Sequence, residues 1–179
     1  VPVTVVLAFL FTAGDRGGKP NGPTAVPATA SALPGVAVPA PPAPNPATQQ
    51  ACIKVFQKLP VQLGTLPPRK TETDSSFVAA WGDPAIVIRC GVSRPAVFGT
   101  PTAAQLLDVS GIIWQPDPQK TQTVYTAVDR SVYIDVTVPA NQDQPLPDLA
   151  PAIAALPQRC TATDSVGNTT NKKLPICGG

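Results

Sequence analysis

Histidine and methionine are both absent from the 179 residues. Without an imidazole there is no Ser-His-Asp or Cys-His machinery, no His-ligated zinc and no haem histidine, and without either residue no Met/His copper site. The candidate catalysts that remain are Asp, Glu, Lys, Ser, Thr, Tyr and Cys. Charge is scarce too: 13 Lys and Arg against 11 Asp and Glu leave a net charge of +2. Nucleic-acid binding needs concentrated cationic charge to neutralise phosphates, and this chain lacks it. Its apolar opening, Val1 to Phe11 (VPVTVVLAFLF), falls short of the roughly 20 residues of a membrane-spanning helix. What stands in excess is proline, 24 residues, against an average usage of about 5%.

The apolar opening has the length of a secretory h-region, about 7–15 residues, without a charged n-region before it. It reads as a signal or anchor segment entered partway, assigned to residues 1–14; a buried β-strand is the alternative, since Val and Thr favour strands. Phe11-Thr12-Ala13 is a poor cleavage site and no cysteine follows closely, so an uncleaved anchor is favoured over a lipoprotein. Residues 15–45 are rich in Gly, Pro, Ala, Thr and Ser, and nine prolines fall from Pro20 to Pro46 at the start of the following domain. Leu33 is the sole large apolar side chain between Val26 and Val36, so burial there cannot offset the ordering entropy. The expectation is a flexible, semi-extended stalk that packs little against the rest. Residues 46–179 then form an extracytoplasmic domain.

Asn45-Pro46 announces a helix, with an N-cap followed by proline at the first helical position. Ala47, Ala51, Cys52, Val55, Phe56 and Leu59 share one helical face, and Pro60 ends it. Pro67 to Ser76 reads as polar and turn-rich. Phe77 to Trp81 leads into a Gly82-Asp83-Pro84 turn, after which Ala85 to Cys90 is a short buried strand. Gly111 to Gln115 is a second, closed by Pro116-Asp117-Pro118, and Thr123 to Val128 a third. Ser131 to Val138 carries the clearest pattern: Val132, Ile134, Val136 and Val138 alternate with Tyr133, Asp135 and Thr137, a period of two with one face buried. The last two strands flank Asp129-Arg130 and predict a hairpin. Asp148 can cap a second helix over Leu149 to Leu156. The fold expected is α+β: a small antiparallel sheet of about four strands, two helices on one face, two disulfides and a Pro-rich arm in front.

Four cysteines behind an export-like start suggest disulfides formed in an oxidising compartment. Of three possible pairings the preferred one joins Cys52 to Cys90, tying the first helix to the first strand, and Cys160 to Cys177, pinning the tail. No two cysteines lie at ligand-pair spacing, so neither a metal nor a cofactor is expected. Without a CxxC or an imidazole, thiol catalysis is not expected either.

The most distinctive local pattern is Trp81-Gly82-Asp83-Pro84 followed by Arg89-Cys90-Gly91. Much of it is architectural: a tryptophan for the core, a glycine for an unusual backbone angle and an aspartate closing a turn. Arg89 is harder to dismiss, because it interrupts an apolar strand and must find a carboxylate, such as that of Asp83, or reach solvent. Alternation puts Ile86 and Ile88 against the helices and Ala85, Val87 and Arg89 on the other face. Trp114, Tyr125 and Tyr133 are placed with Arg130 on the more exposed sheet face, where aromatics beside arginine suit protein or sugar contact. The candidate binding surface is therefore Trp81, Asp83, Arg89, Trp114, Arg130 and Tyr133. No nucleophile elbow or SxxK context surrounds any serine or threonine.

At this point a resemblance enters. Ala51-Cys52 with Leu59-Pro60, AAWGDPAIVIRCGVSRP from Ala79 to Pro95, VSGIIW from Val109 to Trp114, Tyr125-Thr126, Arg130 and YIDVTVP from Tyr133 to Pro139 resemble an uncharacterised actinobacterial family, domain of unknown function 3515. The resemblance covers about half the chain. It implies an exported or single-pass membrane-anchored envelope protein and supports pairing Cys52 with Cys90; it brings no biochemical activity. The function expected is a non-enzymatic domain, secreted or held outside the cell membrane, that binds an envelope protein or cell-wall glycan. The alternatives are an envelope-glycan hydrolase or transferase working through Asp83, Asp129 or Asp135, and an accessory subunit of a membrane complex.

Overall fold

The structure, a computed structural model, describes residues 33–159. Its elements in chain order are β1 (Val36–Ala37), α1 (Pro46–Phe56), β2 (Pro68–Arg69), β3 (Thr71–Glu72), β4 (Val78–Trp81), β5 (Ile86–Val92), β6 (Leu107–Val109), β7 (Ile112–Pro118), β8 (Gln122–Ala127), β9 (Tyr133–Pro139) and α2 (Leu146–Ile153). The main sheet has seven strands in the order β2-β4-β5-β9-β8-β7-β6, every neighbouring pair antiparallel. Both helices pack on one of its faces. From α1, Ala51, Cys52 and Val55 join Leu146, Leu149, Ala150 and Ile153 of α2 in one buried cluster with Ile86, Ile88, Trp114, Ile134, Val136 and Val138.

The α+β class and the helices on one face are as expected; the strand count is not. The four strands read from the sequence are β5, β9, β8 and β7, which lie side by side in the middle of the sheet. The three strands added at the flanks, β2, β4 and β6, have two to four residues each. So short a strand cannot display a period, and Pro67–Ser76 looked like plain turn for that reason. Strand β7 also runs past its expected stop, through Pro116 to Pro118. Its outer neighbour β6 pairs only with Ile112–Trp114, so beyond Trp114 β7 is an edge strand, where a proline's missing donor breaks no ladder bond.

Helix α1 begins as expected, the Asn45 side chain accepting a bond from the Thr48 amide at 2.9 Å. Helix α2 is displaced: it starts at Leu146 with no side-chain cap, and Asp148 sits inside its first turn. There the carboxylate complements the helix dipole in place of capping. One disulfide is present among the described residues, Cys52–Cys90, with 5.7 Å between its Cα atoms. It fastens α1 to β5 inside the core, both sulfurs buried. The expected second bond, Cys160–Cys177, lies outside the described residues, as does the segment 1–14.

The arm is corrected where it is described. Val36–Ala37 pairs in parallel with Thr71–Glu72, and Val38, 9% exposed, packs on Val78, Ala80 and Val87. Valine at 36 and 38 makes this possible, because two apolar side chains on an extended segment can reach a small apolar patch. Residues 33–38 therefore belong to the domain rather than to a stalk. No helix among the described residues is long and apolar enough to cross a membrane.

Candidate functional site

Antiparallel register sets a row of polar side chains across the middle of the helix-free face. Arg89 on β5 stands opposite Asp135 on β9, Asp135 opposite Thr126 on β8, and Thr126 opposite Gln115 on β7. Arg89 donates from Nε to Asp135 Oδ1 at 3.0 Å and from Nη2 to Oδ2 at 2.5 Å, a bidentate pair. The Asp135 side chain is 6% exposed and that of Arg89 25%. Burial pushes the Asp135 carboxyl up from its ordinary value, against the opposing pull of Arg89. The guanidinium is in turn raised by its bond to Asp135. Gln115 is closed off, its amide donating to the carbonyls of Ala104 and Pro116.

Two cavities open along this row. One, about 380 Å³, lies between Pro41–Pro42 of the arm and the Ser93–Val97 segment, with Arg89, Asp135, Thr126 and Asp117 in its lining. The other, about 760 Å³, lies between Val36–Pro39 and the turn at 119–122, over Val87, Val124 and Thr137. Arg89, Gln119 and Val124 line both. Together they form a cleft with small apolar walls and a polar floor. It can hold an extended chain and offer it N–H and O–H donors.

Two glycines in the motif shape the helix side of the sheet, away from the cleft. Gly91 has φ +83°, at the bulge where the β5–β9 register shifts, and an added Cβ would lie 3.0 Å from Thr48 Cγ2. Gly82 has φ +74°, and its Cβ would press on the Leu66 methyls at 3.1 Å. Both turns need a backbone that L side chains rarely adopt. The conspicuous WGDP and RCG letters therefore describe backbone geometry.

Of the six residues expected to form a binding surface, only Arg89 lies in the cleft. Trp81 and Trp114 are in the helix-side core, 3% and 0% exposed, and Trp81 donates from Nε1 to the Val61 carbonyl at 3.2 Å. Tyr125 is buried on the same side and accepts no place on an open aromatic face. Asp83 is at an exposed turn, paired with Arg69 at 3.0 Å, so the expected partner of Arg89 is replaced by Asp135. Arg130 is buried beside Asp129 at 3.6 Å and donates to the Gly111 carbonyl at 2.7 Å. Tyr133 carries the Arg159 guanidinium over its ring at 5.2 Å. Alternation had reversed the faces of Trp114 and Tyr125, because a strand's period of two does not say which side the helices cover.

The cleft residues that the sequence reading missed are Thr126, Asp117, Gln119, Val124 and Ser93. No signal marked them individually. Asp135 did carry one: like Arg89, it is a lone charge between apolar strand residues, and two such interruptions are natural partners. Among the described residues no group of three or more Cys, Asp or Glu could hold a metal ion. The acids expected to support hydrolysis are dispersed, with Asp83 and Asp129 away from the cleft and only Asp135 inside it.

A family model described as "Protein of unknown function (DUF3515)" matches residues 1–161. No curated protein and no solved structure matches the chain. With nearly its whole length covered, the chain belongs to the DUF3515 family.

Proposed function

For a member of that family we propose a non-enzymatic binding domain that works outside the cytoplasm and holds its ligand in the cleft on the helix-free sheet face. The observation that carries the reading is the cleft itself: two adjoining cavities over an in-register Arg89–Asp135–Thr126 floor. A domain that covers one sheet face with helices and leaves the other grooved has a surface available for contact. Export is supported by the buried Cys52–Cys90 bond, since such bonds persist in oxidising compartments. The ligand is an envelope component, and the N-terminal segment is the natural means of retention at the membrane.

Hydrolysis of envelope glycans has one observation behind it. Asp117 and Asp135 line the same cavity, and paired carboxylates are the machinery of glycoside cleavage. Asp135, however, already spends both oxygens on Arg89, so binding is the better-supported reading.

The test is site-directed photo-crosslinking from Gln119 in the full chain, exposed to cell-envelope fractions. The expected result is a discrete adduct that disappears when Val124→Arg fills the cleft. An adduct of equal yield in that variant would overturn the reading.

A further inference from the structure

We propose that the groove on the helix-free face docks an extended, proline-containing peptide segment, and that residues 36–42 occupy one side of it within the chain, leaving the two cavities open beside them. This rests on the binding-domain reading and specifies the ligand. The arm displays the recognition mode. Its backbone adds to the domain as a strand: the Val36 amide donates to the Lys70 carbonyl at 2.8 Å and the Val38 amide to the Glu72 carbonyl at 3.3 Å. Its Val38 side chain fills a pocket of Val78, Ala80 and Val87. Main-chain pairing for affinity with an alternate side chain in a pocket for specificity is how sheets receive peptides.

Beyond Val38 the cleft suits proline. Asp135 occupies Nε and Nη2 of Arg89, and the remaining Nη1 reaches the Pro39 carbonyl at 3.5 Å. A proline-rich backbone presents carbonyl acceptors with few N–H donors and is already extended. The cleft answers with donors from Arg89, Thr126 and the amides of Gln119 and Asn141. Pro41 and Pro42 then wall the smaller cavity, so the open volume continues directly from the seated segment. A glycan is a poorer match, because none of the residues lining either cavity is aromatic and sugar faces favour flat rings. A segment tethered through a short linker competes at an effective concentration on the order of millimolar, so the arm should mask the site from weak ligands.

The probe is a synthetic peptide with the sequence of residues 33–44, LPGVAVPAPPAP, titrated into the full chain. Its analogue with every proline replaced by alanine and a chito-oligosaccharide serve as comparisons. Val38→Asp, which unseats the arm, should bind the peptide at least tenfold more tightly than the unmodified chain. Adding Val124→Arg should abolish that gain, and the alanine analogue should bind at least tenfold more weakly. Excess peptide on the unmodified chain should also lower amide-exchange protection at Val36 and Val38, a readout that needs no variant. No binding to Val38→Asp with unchanged protection, or equal binding of the alanine analogue, would overturn the inference. Saccharide binding at the cleft in place of the peptide would overturn it too, while leaving the binding-domain reading intact.

Discussion

Arg89 and Asp135 are 46 positions apart in the chain and interrupt two otherwise apolar strands. Asp83 was the example of a partner taken from the sequence, yet the β5–β9 register places Asp135 directly opposite Arg89. Removing one member strands the other in a low-dielectric site. Arg89→Ala should therefore cost roughly 2–3 kcal/mol, somewhat under the range for a fully buried pair because the guanidinium keeps a quarter of its exposure. Thermal melting of Arg89→Ala, Asp135→Ala and the double variant checks this: the double should cost clearly less than the sum. Asp129 tests a different balance. It is fully buried beside Arg130 and Gln158, and burial still pushes its carboxyl above the ordinary value. A carboxyl raised in the folded state contributes stability that is complete below the unfolded value, about 3.9, and lost as pH rises through the folded one. Against Asp129→Asn, which does not titrate, the relative stability of the unmodified chain should fall in denaturant titrations as pH rises above the unfolded carboxyl value of about 3.9.

At the scale of elements, the disulfide and the arm make opposite demands. Cys52 and Cys90 close a loop of 38 residues in sequence separation, which the chain-entropy model values at about 4 kcal/mol. Reduction, or the Cys52→Ala/Cys90→Ala pair, should lower the denaturation midpoint accordingly, read by urea titration with and without reductant. The arm is held by backbone hydrogen bonds from the Val36 and Val38 amides, by side-chain bonds from Arg69 to the Pro34 carbonyl and from Arg89 to the Pro39 carbonyl, and by one buried valine. Val38→Asp should abolish exchange protection at Val36 and Val38 while shifting Tm by only a few degrees, because the main cluster does not include Val38. A short strap of this kind is drawn from the low-stability end of a fold. Composition alone marked the whole 15–45 stretch as stalk, and two valines in an otherwise small-residue context were too weak a signal to show where packing begins.

Across the whole molecule, Trp81 and Trp114 stand on β4 and β7, toward opposite ends of the sheet, yet belong to one buried cluster. A single cluster spanning the sheet should unfold as one unit. Trp81→Phe and Trp114→Phe each leave one reporter, and the fluorescence midpoint of each should coincide with the far-UV midpoint of the same variant. Separated midpoints would divide the sheet into independently melting halves.

Periodicity in the chain determined the middle of this protein. The alternation over 131–138, the apolar stretch 85–90 with its single arginine, and Asn45-Pro46 each specify an element from neighbours a few residues away, and those elements formed. The Cys52–Cys90 pairing was legible for a related reason, once helix and strand were recognised and the family resemblance supported it. Only tertiary structure decided the rest. Strands of two to four residues exist because the edge of a growing sheet stabilises them, and Trp114 and Tyr125 are core residues because α1 and α2 cover their side. The cleft is the most dependent of all. Its floor joins residues 89, 126 and 135, its walls come from 41–42 and 93–97, and strand register is a property of the assembled sheet that no local window contains.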